Sequence, residues 1–99
     1  MDQKFEGTPH AELRVEGRKV VRTDVTDDWG LRLQWKVTRD GKVVETPNAR
    51  VTETYEPTEP GKYEVVLQMW KYVSYKKNAQ REFVDSKYVD VSNAVEFTV

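Results

Sequence analysis

The side chains best suited to binding a ligand are aromatic, amide and cationic groups on two segments of the chain. Trp70, Tyr72 and Tyr75 follow an apolar run, and Gln34 and Lys36 lie in an earlier alternating segment. Aromatic rings beside amide and ammonium groups can stack on a sugar ring or form the centre of a protein interface. These residues are therefore candidates for contact with a glycan or a protein partner.

The chain itself offers an alternative cover for the same aromatic groups. Residues 74–88 form an unusually long connection that carries Phe83, Val84 and Tyr88. A long connection without contacts of its own loses entropy without compensation, and an uncovered apolar face is unusual on a lone domain. We expect an extended hairpin whose Phe83 or Tyr88 contacts the face near Trp70.

Residue types for catalysis or metal binding are sparse. The chain has one histidine, His10, no cysteine, no Gly-x-Ser-x-Gly nucleophile motif and no phosphate-binding glycine loop. Asp24, Asp27 and Asp28 match no known calcium loop, and calcium takes roughly six to eight close oxygens. We therefore expect no enzymatic activity, no cofactor and no specific metal site.

Composition indicates one polar domain. The 99 residues include 33% charged and 11% aromatic residues, enough apolar side chains for a single core. With 16 basic and 17 acidic residues the formal net charge is −1, so no strong field attracts nucleic acid or an anionic membrane. No apolar run reaches membrane-spanning length. We expect a flexible segment over 1–8 and a single, monomeric domain over 9–99, without nucleic-acid binding or membrane insertion.

Alternating hydrophobicity predicts the strands that position these groups. In the clearest segment, Trp35 is on the inward face, and Arg32, Gln34 and Lys36 are on the outward face. The Asp40-Gly41 pair predicts a tight hairpin turn, after which residues 42–45 pair back. The residues predicted to be largely buried are Leu33, Trp35, Val37, Tyr63, Val65, Leu67, Val95 and Phe97.

Other segments complete an antiparallel pattern. Residues 11–15 predict a half-buried strand, and residues 20–25 predict another with Val21, Thr23 and Val25 inward. Residues 89–99 predict the last strand, with a bulge at residues 92–93. Trp29 lies in a loop, where we expect it to plug one end of the domain rather than to contact a partner.

Two stretches resemble immunoglobulin-like sandwich domains. Trp35 lies in a segment similar to the third strand of such domains, and Gly61-x-Tyr63-x-Val65 resembles their tyrosine corner, with Val65 where antibody domains carry a cysteine. The stretch from Tyr55 to Val65 also resembles the polycystic-kidney-disease (PKD) type of sandwich. Of the PKD motif that follows the tryptophan, only the final Asp-Gly survives here.

The resemblance implies an all-β, immunoglobulin-like (PKD-like) antiparallel two-sheet sandwich of about seven strands. It implies that Trp35 packs between the sheets and that the Tyr63 hydroxyl bonds the backbone at the corner. Such domains are non-catalytic structural or adhesive modules of larger extracellular or cell-surface proteins, with neighbouring domains as partners. The alternative is a carbohydrate-binding module that uses Trp70, Tyr72 and Tyr75.

Overall fold

Two antiparallel sheets form the domain in a computed structural model, which describes residues 8–77 and 83–99, with side chains outside 72–77 and 83–86. No helix occurs in this part of the chain. The flexible segment predicted over 1–8 lies outside the described residues, except for Thr8. The strands are β1 Leu13–Glu16, β2 Lys19–Arg22, β3 Leu33–Arg39, β4 Lys42–Glu45, β5 Thr54–Tyr55, β6 Lys62–Lys77, β7 Phe83–Asp90 and β8 Val95–Thr98.

The strand order confirms the predicted all-β sandwich. The smaller sheet has the order β1-β2-β5, and the larger has the order β4-β3-β6-β7, with β8 also paired to β6. One core cluster takes residues from both sheets, such as Leu13 and Val20 from the smaller and Trp35 and Leu67 from the larger. The described strands number eight rather than about seven, because the predicted last strand is divided in two.

The centre of the larger sheet has the predicted alternation. Trp35 of β3 lies opposite Leu67 of β6, and Val37 lies opposite Val65. Trp35 is 1% exposed, and its Nε1 donates a hydrogen bond of 3.2 Å to Thr52 Oγ1, which satisfies the buried polar atom. Burial is confirmed for Leu33, Trp35, Val37, Tyr63, Val65 and Leu67.

The prediction of which residues of β2 point inward is wrong. Val20 is fully buried, whereas Val21 is only half-buried and Thr23 is exposed. The register of the β1–β2 hairpin places Leu13 opposite Arg22. Directly opposed residues share a face, so buried Leu13 brings Arg22 and, two residues earlier, Val20 to the inner side.

The predicted last strand is interrupted where a bulge is expected. β7 and β8 pair with the same edge of β6. The last pair of β7 is Asp90 with Gln68 and the first pair of β8 is Val95 with Val65, so the chain advances five residues where β6 advances three. The additional residues break the ladder around Ser92 and Asn93 and leave two strands instead of one.

Val95 and Phe97 correct another prediction, because both are half-buried rather than largely buried. Their strand, β8, pairs with β6 alone among the described strands, so one side of it is not covered by a further strand. Phe97 still packs against the core through a stacked contact with Tyr63, with ring centroids 5.5 Å apart.

The turn and loop predictions are confirmed at several positions. Asp40 and Gly41 have φ values of 51° and 87°, and they connect β3 to β4. Val25 and Trp29 are half-buried and pack against the core, Trp29 with Lys71 Nζ 5.6 Å from its ring centroid. The extended hairpin is present as β6 and β7, whose register continues to the pair of Lys77 with Phe83.

A side chain joins the first strand to the end of the chain. Asn93 Oδ1 accepts a hydrogen bond of 2.9 Å from the Leu13 N–H, and Asn93 Nδ2 donates one of 3.0 Å to the Leu13 carbonyl oxygen. Nearby, Ala11 bridges Ser92 in parallel, and its N–H donates to the Val91 carbonyl oxygen at 2.8 Å. The two sheets are thus linked along one side of the sandwich.

Candidate functional site

The outer face of the larger sheet carries the side chains predicted to contact a ligand. On this face Gln34 lies opposite Gln68, and Lys36 lies opposite Val66. Trp70 lies opposite Tyr88 on the neighbouring strand. The alternation that buries Trp35 therefore places Gln34, Lys36 and Trp70 together on the other face, as the sequence predicts.

An amide row crosses three strands of this face. Gln34 Nε2 donates a hydrogen bond of 3.0 Å to Gln68 Oε1, and Gln68 Nε2 donates one of 2.8 Å to Asp90 Oδ1. Each donor is matched to an acceptor in the next strand, so the three side chains hold one another in fixed positions. Gln68 and Asp90 do not appear among the sequence candidates, although their alternation with buried residues predicts the same face.

An aromatic pair adjoins the amide row. The Trp70 and Tyr88 ring centroids are 5.1 Å apart, and their planes meet at 71°, an edge-to-face arrangement. This contact confirms the prediction that Tyr88 packs near Trp70, whereas the Phe83 side chain lies outside the description. Trp70 is only half-buried, so Tyr88 covers part of it and leaves the remainder accessible.

Arg32 completes the row that contains the aromatic pair. The Trp70 N–H donates a hydrogen bond of 2.9 Å to the Arg32 carbonyl oxygen, which places Arg32, the residue before β3, beside Trp70 of β6. The Arg32 side chain is exposed. Sequence alternation assigns Arg32 to the outer face, but only the register shows that it lies beside Trp70.

The candidates Tyr72 and Tyr75 lie further along β6, after Trp70. Tyr72 pairs with Ser86 of β7, and the register shifts between Tyr72 and Ser74. The side chains of Tyr72 and Tyr75 lie outside the description, so their predicted contact with a ligand stays a prediction.

A shallow cleft of about 390 Å³ lies beside the Trp70 row. Its polar side chains come from β3 and the residue before it, from the segment that follows β4 and from β7, and they belong to Arg32, Gln34, Thr46, Asn48, Arg50 and Tyr88. The Asn48–Gln34 backbone bridge and the hydrogen bond from the Ala49 N–H to the Leu33 carbonyl hold the segment after β4 against β3. The backbone on this side of the cleft is therefore fixed by the sheet.

Arg50, at the rim of this cleft, is bound to Asp28. Two guanidinium nitrogens of Arg50 donate hydrogen bonds of 2.7 Å to the two carboxylate oxygens of Asp28, which also accepts one of 2.7 Å from the Gly30 N–H. The Arg50 hydrogen bonds lower the pKa of Asp28 and raise the pKa of Arg50, despite partial burial of both groups. Within residues 8–77 and 83–99, no three histidine or acidic side chains form a group that could hold a metal ion.

A larger cleft of about 550 Å³ lies at the open edge of the sandwich, between β4 and β5. Two of its acidic groups have partners: the Tyr55 hydroxyl donates to the Glu45 carboxylate, and Arg39 pairs with Glu59. Burial and then the Glu45 contact raise the pKa of Tyr55, so the phenol stays protonated. The Tyr55–Glu45 contact therefore joins β5 of the smaller sheet to β4 of the larger sheet at this edge.

A scan of family models, a search of curated proteins and a search of solved structures each returned no match to this chain. Among the described residues, the structure likewise holds no helix long and apolar enough to cross a membrane. The arrangement of the sheets and the geometry of the outer face therefore carry the argument about function.

Proposed function

We propose that the chain is a non-catalytic immunoglobulin-like or PKD-like module with a structural or adhesive role in a larger extracellular or cell-surface protein. The observation that carries this proposal is the tyrosine corner. The Tyr63 hydroxyl donates a hydrogen bond of 2.7 Å to the Glu59 carbonyl oxygen at the turn before β6, as the resemblance implies.

The arrangement of strands supports the same module. The order β1-β2-β5 facing β4-β3-β6-β7 corresponds to the A, B, E and C′, C, F, G strands of immunoglobulin-like sandwiches. Trp35, on the strand that corresponds to C, packs in the core with Tyr55 of the opposite sheet at a centroid distance of 6.5 Å. Sandwiches of this type use sheet faces and end loops to space domains or to bind partners.

The outer face favours a protein contact as the adhesive surface. It combines a fixed amide row with a half-exposed tryptophan, and aromatic residues are enriched in the centres of protein interfaces. Contact with neighbouring domains of a parent chain is the structural form of the same role.

A carbohydrate-binding module is the second candidate, favoured by the half-exposed Trp70 beside amide and carboxylate groups. The 71° angle between Trp70 and Tyr88 weighs against it, because this pair offers no flat double platform for a sugar ring.

Parallel arrays of extracellular protein domains and of glycans separate these functions. The 99-residue chain should bind protein domains, and Trp70→Ala should reduce that binding while Val15→Ala, at an exposed residue of β1 in the smaller sheet, should not. Glycan binding that disappears in Trp70→Ala would establish the second candidate instead. Turnover of a substrate by the purified chain would contradict the non-catalytic role.

A further inference from the structure

The outer-face row Arg32–Trp70–Tyr88 joins three residue types that dominate the energetics of protein interfaces. Arginine, tryptophan and tyrosine are enriched at hot spots because each combines a large contact area with a directed polar or cationic group. Backbone hydrogen bonding places Arg32 beside Trp70, and strand register places Tyr88 on the other side of Trp70. The row is therefore a contiguous strip and not three scattered surface residues.

Arg32 of this strip forms no ion pair with a described residue. The side chains of Arg14, Arg22, Arg39 and Arg50 each bind a carboxylate or a carbonyl oxygen. Among the residues that the structure describes, the Arg32 guanidinium makes neither an ion pair nor a hydrogen bond, although it lines the 390 Å³ cleft. A guanidinium with its donors unused is suited to bind a carboxylate through two parallel hydrogen bonds.

The neighbouring groups in the cleft also favour an acceptor ligand. Asn48 Oδ1 accepts a hydrogen bond of 2.7 Å from the Arg50 N–H, which leaves the Asn48 amide nitrogen as a donor. The one carboxylate bound at the rim, that of Asp28, is held by Arg50 and does not neutralise Arg32. A ligand that enters here meets a guanidinium, an amide donor and an aromatic wall.

We infer that this cleft binds a carboxylate of a protein partner, with Arg32 as its anion-binding group and Trp70 and Tyr88 as the adjoining apolar contact. The inference deepens the proposed adhesive function and rests on it. The edge-to-face geometry of Trp70 and Tyr88 favours a peptide segment over an acidic sugar, because a side chain next to the carboxylate can pack against a tilted ring pair.

An NMR titration of the 99-residue chain at low salt tests this inference. The probe is a capped four-residue peptide with one glutamate next to a phenylalanine, and its matched control has glutamine in place of glutamate. The side-chain N–H resonances of Arg32 and Trp70 report binding directly. We expect saturable shifts of both with the glutamate peptide and at least about tenfold weaker binding of the glutamine peptide, since a charge-assisted hydrogen bond is lost.

Two variants and one further ligand decide the result. Arg32→Gln should lose the preference for glutamate, whereas Arg18→Gln, at an exposed turn of the smaller sheet, should keep it. Equal binding of both peptides, no binding of either, or an unchanged preference in Arg32→Gln would overturn the inference. Saturable binding of glucuronic acid at the same resonances, without peptide binding, would replace the protein partner by an acidic sugar. A domain-array hit that survives in Arg32→Gln would retain the adhesive function while removing this carboxylate site.

Discussion

The two faces of the β3–β6 strand pair use alternate residues of the same segments, yet different interactions hold them together. On the inner face, Trp35 is 1% exposed and Leu67 is 0% exposed, so apolar packing and removal of water dominate. On the outer face, Gln34 and Gln68 bond across the strands, and Trp70 remains half-buried. The inner face stabilises the domain, whereas the outer face keeps polar and aromatic side chains partly exposed to solvent.

Substitution of the inner tryptophan gives the largest expected effect on this contrast. Trp35→Ala removes the largest fully buried side chain and leaves a cavity, which should lower the free energy of unfolding by about 3–5 kcal/mol. Urea unfolding followed by circular dichroism measures the loss. A loss below about 1 kcal/mol would show that the inner face is not the main source of stability.

Substitution of the outer tryptophan should cost less. Trp70→Ala removes a half-buried ring and its edge-to-face contact with Tyr88, so we expect a loss of about 1–2 kcal/mol in the same unfolding experiment. If the losses from Trp35→Ala and Trp70→Ala were equal, the two faces would not differ in the way described.

Removal of one hydroxyl sharpens the comparison at the tyrosine corner. Tyr63→Phe keeps the buried ring but loses the hydrogen bond to the Glu59 carbonyl oxygen, at an expected cost of about 1 kcal/mol. The matched outer-face variant Tyr88→Phe should change stability by less than about 0.5 kcal/mol, since Tyr88 contacts Trp70 through its ring. Equal losses of stability in the two variants would show that the Tyr63 hydroxyl contributes no more than the hydroxyl of Tyr88.

The last expected effect depends on pH and concerns the rim of the outer-face cleft. The Arg50 hydrogen bonds hold the pKa of Asp28 below its usual value of 3.8, so Asp28 contributes stability above that pH and loses it as the pH falls through the lowered pKa. At neutral pH, Asp28→Asn should be less stable by up to about 1 kcal/mol, because the pair is only partly buried.

Thermal unfolding between neutral pH and acid measures this dependence. The difference between the unaltered chain and Asp28→Asn should stay constant at neutral pH and shrink in strong acid. In an Arg50→Gln background the same substitution should have little effect, because the partner is already absent. A difference that grows in acid would have the wrong sign for a lowered carboxyl pKa.

Sequence alternation was sufficient to predict which side chains point inward where a strand is central and has a strand on each side. It placed Trp35 and Leu67 inward and Gln34 outward, because a period of two leaves no other arrangement once one large apolar residue is buried. The Asp40-Gly41 turn was also predictable, since both residues tolerate positive φ.

Register and edges explain what the sequence did not predict. Whether Val20 points inward depends on which residue of β1 lies opposite it. Val20 and Val21 are adjacent and both apolar, so their sequence does not show which of the two is buried. The half-burial of Phe97 follows from the edge position of β8, which is a property of the sheet order. The proximity of Arg32 and Tyr88 arises from pairing between distant segments, so no local spacing predicts this part of the candidate site.

We expect the contacts of Ala11 and Leu13 with residues 91–93 to resist mechanical force. Ala11 and Ser92 run in parallel, so a pull that separates the two ends of the chain slides these segments along each other. The hydrogen bonds of Ala11 with Val91 and of Leu13 with Asn93 are then strained together rather than opened one after another. Under such a pull, we expect the Asn93 amide to resist extension of the chain.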